Sequence, residues 1–420
     1  MLDDRIDRRG AWLLLVGSGA VLVLVAATLV PWDWAPGLTL RPPPAGDVFD
    51  EDQLQAAESH ARALRLLSWS SYAIGLVLAL ALGLTRKGAT LVRWVTGELR
   101  WWLAVPVGAL LLLVLSRLVV LPLSLLARER NLSDGLTNQD LAGWFGDWGL
   151  SLLVSWVLVS TLLLLVIGLA RRTARWWFAW SGAALVALTF AVSFGYPVLV
   201  EPLFNDFEPL PDSAFKESVL ELAEEEGVEV DEVLVSDASR RTTTLNAYVS
   251  GLGSTRRIVV YDNLLSEVPE DQALSVVAHE LAHARHRDVL LGTGLGALGV
   301  LLGVSVLALL VDSPRMRRRA GVRGPADPAA VALLVALFGV GGLVSGPAQG
   351  AVSRAIEARA DVTALAATND PEAFRAVQLS LAENSLADPT PPWIGYVLFA
   401  SHPTVLQRLA IADAVQRSRR

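Results

Sequence analysis

Five histidines occur in 420 residues, and two of them flank a glutamate at a spacing of four: His279, Glu280 and His283, within SVVAHELAHARHRD. On a helix, positions four apart share one face, so both imidazoles can grip one metal ion from the same side. Zinc accepts neutral imidazole nitrogen, and a catalytic zinc keeps three protein ligands and one open position. Glu280 lies where its carboxylate can take a proton from a water on that ion. The spacing points to metal-assisted hydrolysis. The chain has no cysteine, which excludes thiolate ligands and disulfides. The remaining ligand must be a histidine or a carboxylate.

His286 does not fit that place. It follows His279 by seven residues, about 10 Å along a helix axis, too far for all three histidines to share one ion. In the longer zinc motif with a histidine six residues further on, the position is filled here by Val289. The segment SRAIEARADVTAL (353–365) is the better source. Glu357 and Asp361 are four apart and share a face. Glu357 can supply the third ligand, and Asp361 can accept the free ring N–H of a ligand histidine. Read alone, the segment is also an ordinary solvated charged face; the upstream histidine pair favours the ligand reading. In FASHPTVLQRLA, His402 and Arg408 are candidates for stabilising the oxyanion that forms when a peptide carbonyl is attacked.

The elements that must hold these residues are mostly apolar. Hydrophobic residues make up 53% of the chain and charged residues 18%, with a mean hydropathy of +0.46. A soluble surface needs more charge than that. Seven stretches reach the length of a bilayer crossing, about 20 residues: roughly 11–30, 66–85, 102–124, 150–170, 177–200, 289–311 and 330–350. Tryptophans gather at their ends, as interfacial rings do. No small-residue cleavage signal follows the first stretch, which reads as an anchor. The expectation is a mainly α, polytopic protein of the cell membrane with the lipid bilayer as its surroundings. The net charge of −7 comes without a basic block, which excludes nucleic acid as a partner.

Four pieces follow: 1–200, five spans with polar loops; 201–288, a small α+β insert ending in the metal helix; 289–350, two more spans; and 351–420, C-terminal helices. Within the insert, 213–226 reads as an amphipathic helix and 231–237 as a strand. Residues 244–253 and 256–262 read as a hairpin joined at Ser254-Thr255. An edge strand just before the metal helix offers free backbone groups to an extended peptide, and Asn246 can bond a substrate backbone. Residues 52–65 read as an amphipathic helix with His60 solvated or interfacial. Arg117 falls inside the third span, where a charge must find a cavity or a partner.

Several blocks together resemble the integral-membrane M48 zinc metallopeptidases, in particular their CAAX prenyl protease 1 branch. In chain order they are VLPLSLLARERNLSDGLTNQDL, VEPLFNDFEPLPD, NAYVSGLGSTRRIVVYDNLL, HELAHARHRD, EARADVTAL and SHPTVLQRL. The resemblance implies one zinc ion held by His279, His283 and Glu357, with Glu280 as general base and Asp361 behind the ligands. It places Asn246, His402 and Arg408 near substrate. It implies seven transmembrane helices around a chamber with a zincin-like insert at one end. The substrate would be a peptide or protein, lipidated or membrane-inserted, such as a prenylated protein trimmed of its C-terminal tripeptide. Ala282 stands where the family often has glycine.

Two arguments about orientation collide. Short loops bearing Arg5, Arg8, Arg9, Arg86, Lys87, Arg171, Arg172 and Arg315–Arg319 lie on one side, which puts the N-terminus in the cytoplasm and the catalytic insert outside. The resemblance implies the reverse. Two other functional classes compete with prenyl-protein trimming: a general membrane quality-control protease without prenyl preference, and a transporter or receptor with a structural zinc. An open three-ligand set argues against the last, since structural sites usually have four ligands.

Overall fold

The computed structural model describes residues 6–34, 37–251 and 256–419. Among them are seven helices long and apolar enough to cross a membrane. They are α1 (Arg8–Leu29), α2 (Glu51–Gly83), α4 (Trp101–Ser133), α5 (Leu141–Arg172), α6 (Trp177–Leu199), α10 (Asp288–Val311) and α12 (Val331–Thr368). Short helices α3 (Arg86–Thr96) and α11 (Pro314–Ala320) lie in the connections.

Four spans, α2, α4, α5 and α12, run longer than expected. α2 starts at Glu51 because Asp50 and Gln53 form a capping box and Glu51 and Asp52 occupy the first turn. The amphipathic segment 52–65 and the second span are therefore one helix. α12 continues through Pro347 to Thr368, so the division at 350 falls inside a helix. The seventh span and the segment with Glu357 form one rod. Hydrophobic length marks only the part of a helix within the bilayer, whereas helix propagation needs no lipid.

α2, α4, α5, α6, α10 and α12 form a ring, each packed on the next, and α1 lies on the outside of α10. One end of the ring is solid. Val105, Ala109 and Leu112 of α4, Leu163, Val166 and Ile167 of α5, Trp177 and Phe178 of α6, Leu307 and Val311 of α10, and Leu333 and Leu334 of α12 share one buried cluster there. Toward the other end, no side chain is buried over 61–82, 113–133, 141–159, 186–199 or 337–354. A close-packed bundle would bury one position per helical turn. These helices instead enclose a chamber, closed at one end and capped at the other by the polar parts of the chain.

The cap begins with a four-stranded sheet in the order β1-β2-β4-β3, formed by β1 (Phe207–Pro209), β2 (Glu232–Ser236), β3 (Ala247–Ser250) and β4 (Arg257–Tyr261). β4 pairs in parallel with β2 and antiparallel with β3. The expected hairpin is present in its strands; its turn at Ser254-Thr255 lies outside the described residues. The strand nearest in sequence to the helix of His279 and His283, β4, is central, and the two edge strands are β1 and β3. Helices α7 (Ala214–Glu225), α8 (Asp262–Glu267) and α9 (Glu270–His286) cover the sheet. Ile258, Leu264, Val277 and Leu281 are fully buried between them, with Ala364 of α12 in the same cluster. Each such aliphatic side chain contributes about 1.5–3 kcal/mol by burial. Helices α13 (Pro371–Asn384), α14 (Trp393–Phe399) and α15 (Val405–Ser418) complete the cap. Phe374 and Ile411 pack onto Leu365 of α12. The insert and the C-terminal helices therefore lie on the same side of the membrane.

His60 is not solvated. It is buried, with Nδ1 2.6 Å from Oδ2 of Asp134 just past α4. Asp134 also accepts from Arg130 at 2.5 Å. Arg117 finds a partner helix: its guanidinium donates to Ser151 Oγ on α5 at 2.8 Å.

Candidate active site

α9 opens on Pro269 with Glu270 and Asp271 in its first turn, residues suited to a helix start. Its buried face carries Val277, Leu281 and His279, and His283 follows one turn later. α12 packs alongside and presents Glu357. The Nε2 atoms of His279 and His283 are 3.2 Å apart. Glu357 faces both: Oε2 is 3.2 Å from Nε2 of His279 and Oε1 is 3.6 Å from Nε2 of His283. One ligand atom from each of the three residues lies within 4.8 Å of the others.

The opposite edges of both rings are held by carboxylates. Nδ1 of His279 is 2.9 Å from Oδ1 of Asp361, and Nδ1 of His283 is 2.9 Å from Oδ2 of Asp288. With Nδ1–H donated outward, each ring turns the lone pair of Nε2 toward Glu357. Burial disfavours charge on His279, but its hydrogen bonds to Asp361 and Glu357 outweigh that and raise its pKa to about 9. Carboxylates that stabilise a proton here would equally stabilise a metal cation. The donor set, two imidazoles and one carboxylate, fits such an ion.

Asp361 is wholly buried. Its other partner is Arg408 of α15, whose Nε donates to Oδ2 at 2.9 Å and whose Nη2 donates to Oδ1. Burial opposes the charge of Arg408, yet Asp361 keeps its pKa above the ordinary value. Arg408 therefore lies beside Asp361 with Nε and Nη2 on that carboxylate, and Nη2 is also 3.3 Å from Nδ1 of His279.

Glu280 is partly accessible, and removal from bulk water raises its carboxyl pKa. His402 sits in the turn between α14 and α15, fixed by the capping box of Thr404 and Gln407. Its side chain is 60% exposed, with Nε2 3.4 Å from Oε2 of Glu357. Desolvation lowers its pKa. The Oγ of Ser401 is 2.8 Å from its Nδ1. Asn246 is exposed at the start of β3, and its carbonyl accepts from Tyr261 N at 3.0 Å. β3 runs beside α9 at one edge of the sheet. His286 lies apart from the cluster, with Nε2 3.0 Å from Thr363 Oγ1.

Two residues escaped the sequence reading. Asp288 reaches back to His283 because Arg287 adopts a left-handed conformation, φ 57° and ψ 40°, between α9 and α10. Arg359, between Glu357 and Asp361 on α12, donates to the other oxygen of Asp288. The only sequence signal was an aspartate five residues past His283 where the apolar span begins.

The family model described as "Peptidase family M48" matches residues 209–416. The model described as "CAAX prenyl protease N-terminal, five membrane helices" matches 38–206. An uncharacterized metalloprotease, YhfN of Bacillus subtilis, is 28% identical over 86% of this chain and 85% of its own length. A CAAX prenyl protease 1 homolog of Oryza sativa is 31% identical over 55% of this chain; the match spans about half of that relative, 54%. The fold is shared with Ste24p of S. mikatae, at a TM-score of 0.78 and 22% identity over 96% of this chain and 99% of that one. With one family model covering the membrane half and the other covering the half that holds the His–Glu cluster, the chain belongs to peptidase family M48 and is a multi-pass membrane metalloprotease with the fold of Ste24p.

Proposed function

We propose that the protein is a zinc endopeptidase acting on peptides that enter its chamber from the membrane. The observation that carries this is the convergence of His279, His283 and Glu357 with Glu280 beside them. In this reading the three residues hold one zinc ion, and cysteine-free N/O donors suit it. Bound there, zinc supplies a Lewis acid that lowers the pKa of a water and polarises the scissile carbonyl.

The remaining work belongs to the chain. Glu280 accepts a proton from the attacking water at its carboxylate as the water oxygen bonds to the carbonyl carbon. Desolvation favours the neutral form of His402. Ser401 donates to its Nδ1, leaving Nε2–H to donate to the developing oxyanion. The C–N bond breaks as Glu280 passes its proton to the leaving amine. Asp361 fixes the ring of His279, and Arg408 keeps Asp361 ionised. An extended substrate adds to the β3 edge, where Asn246 can bond its backbone.

Trimming of a C-terminal tripeptide from a prenylated protein is the finer reading; the similarity to a CAAX prenyl protease 1 homolog of Oryza sativa favours it. The alternative is a quality-control protease indifferent to prenylation. Mass spectrometry of products from a farnesylated peptide and its unmodified twin separates them. Cleavage of the farnesylated form alone supports the first reading, and equal cleavage supports the second. A hydroxamate or phenanthroline should abolish both. Persistent cleavage in excess chelator would remove the metal from the mechanism.

A further inference from the structure

We propose that Arg117 is an anion-binding residue of the chamber and that it takes the terminal carboxylate of a peptide substrate; this rests on the peptidase reading above. Arg117 lies midway along α4, where a charge is costly unless a partner or a cavity receives it. All its partners are neutral. Nη1 donates to Ser151 Oγ at 2.8 Å and to the carbonyl of Trp148 at 3.4 Å, and Nη2 donates to Ser155 Oγ at 3.3 Å. The guanidinium also lies 5.9 Å from the ring centroid of Trp148. Among the described residues no carboxylate pairs with it. A guanidinium has five N–H donors, so α5 orients the group without neutralising it.

The direction it faces follows from the helix. At about 100° per residue, Arg117, Ser124, Arg128 and Asn131 share one face of α4. Val119 and Leu126 lie on the opposite face and are 42% and 56% exposed, as lipid-facing residues are. The polar face therefore turns inward. Two further atoms on it, Arg128 Nε and Asn131 Oδ1, are buried without a hydrogen-bond partner among the described residues, so this wall holds polar groups that the protein itself does not satisfy. The last buried residue of α4 toward the closed end is Leu112, little more than one turn from Arg117. The cation stands near the floor of the chamber.

A chamber closed at one end admits a chain end more readily than the middle of a chain. A cation at its floor attracts a C-terminal carboxylate and repels an N-terminal ammonium. In a low-dielectric wall the attraction is stronger than in water, and arginine can meet a carboxylate with two parallel hydrogen bonds. A phospholipid phosphate would approach from the bilayer, on the side of Val119 and Leu126.

The test compares one membrane-inserted peptide as free acid and as C-terminal amide, using the purified full chain. The acid should be preferred by about tenfold or more in kcat/KM, mainly through KM. Arg117→Gln should bring the acid-to-amide ratio close to one, and Arg117→Lys should restore part of it. Fluorescent forms of both peptides should show the same preference in direct binding to wild type and to Glu280→Gln, a readout without turnover. If wild type binds acid and amide equally, the proposal fails. It also fails if Arg117→Gln weakens both forms alike, which marks a structural role. A defect that follows the anionic-lipid content of the vesicles while the ratio persists would assign the site to phospholipid. If wild type cleaves neither peptide, the peptidase reading fails, and the binding ratio still decides the role of Arg117.

Discussion

Nδ1 of His283 stands 2.9 Å from Oδ2 of Asp288, the first residue of a membrane-crossing helix. The left-handed Arg287 between α9 and α10 makes the contact possible, and Arg359 holds the second oxygen of Asp288 from α12. The start of a span thus orients a ring of the His279–His283 pair.

Asp288→Asn should keep the fold and weaken metal affinity by about 10–100-fold, the usual cost of losing such a partner. Competition with a graded set of chelators measures this. Glu357→Ala removes a donor atom itself and should lower metal content in elemental analysis far more. Full occupancy in Glu357→Ala would move the third ligand elsewhere.

Asp134 joins α2 and α4 through His60 and Arg130. Burial raises its pKa, but the hydrogen bonds from these two partners outweigh that and hold it below the ordinary carboxylate value. A depressed pKa contributes stability that is complete above the unfolded value, about 3.9, and is lost as pH falls through the folded one. Asp134→Asn should cost about 1 kcal/mol, seen as a lower Tm. The difference from wild type should shrink as pH falls below 4. A difference that grows in acid would contradict the pairing.

The insert and the C-terminal helices share one side, but which side is a separate question. Arginines in the short loops favour an extracytoplasmic cap. A periplasmic-type reporter fused to the C-terminus should then be active. An inactive periplasmic reporter with an active cytoplasmic one would reverse the orientation.

Much of this was legible in the sequence because it rests on short-range periodicity. His279 with His283, and Glu357 with Asp361, need only the four-residue repeat of a helix, and the seven spans need only length and hydropathy. Contacts set by packing between distant segments were hidden. His60 looked solvated because Asp134 lies far along the chain. The pairing of Arg408 with Asp361 was hidden because it depends on α15 folding over α12. Asp288 depends on a left-handed turn at an arginine, which local propensity does not announce. The chamber depends on which faces of long helices stay unpacked.

The account turns on Glu280 as the group that moves the proton, and Glu280→Gln tests it most directly. Purified Glu280→Gln protein should keep its full metal content while kcat/KM on a reporter peptide falls by about 10²–10⁴-fold. Cleavage at the wild-type rate with the metal retained would contradict the account.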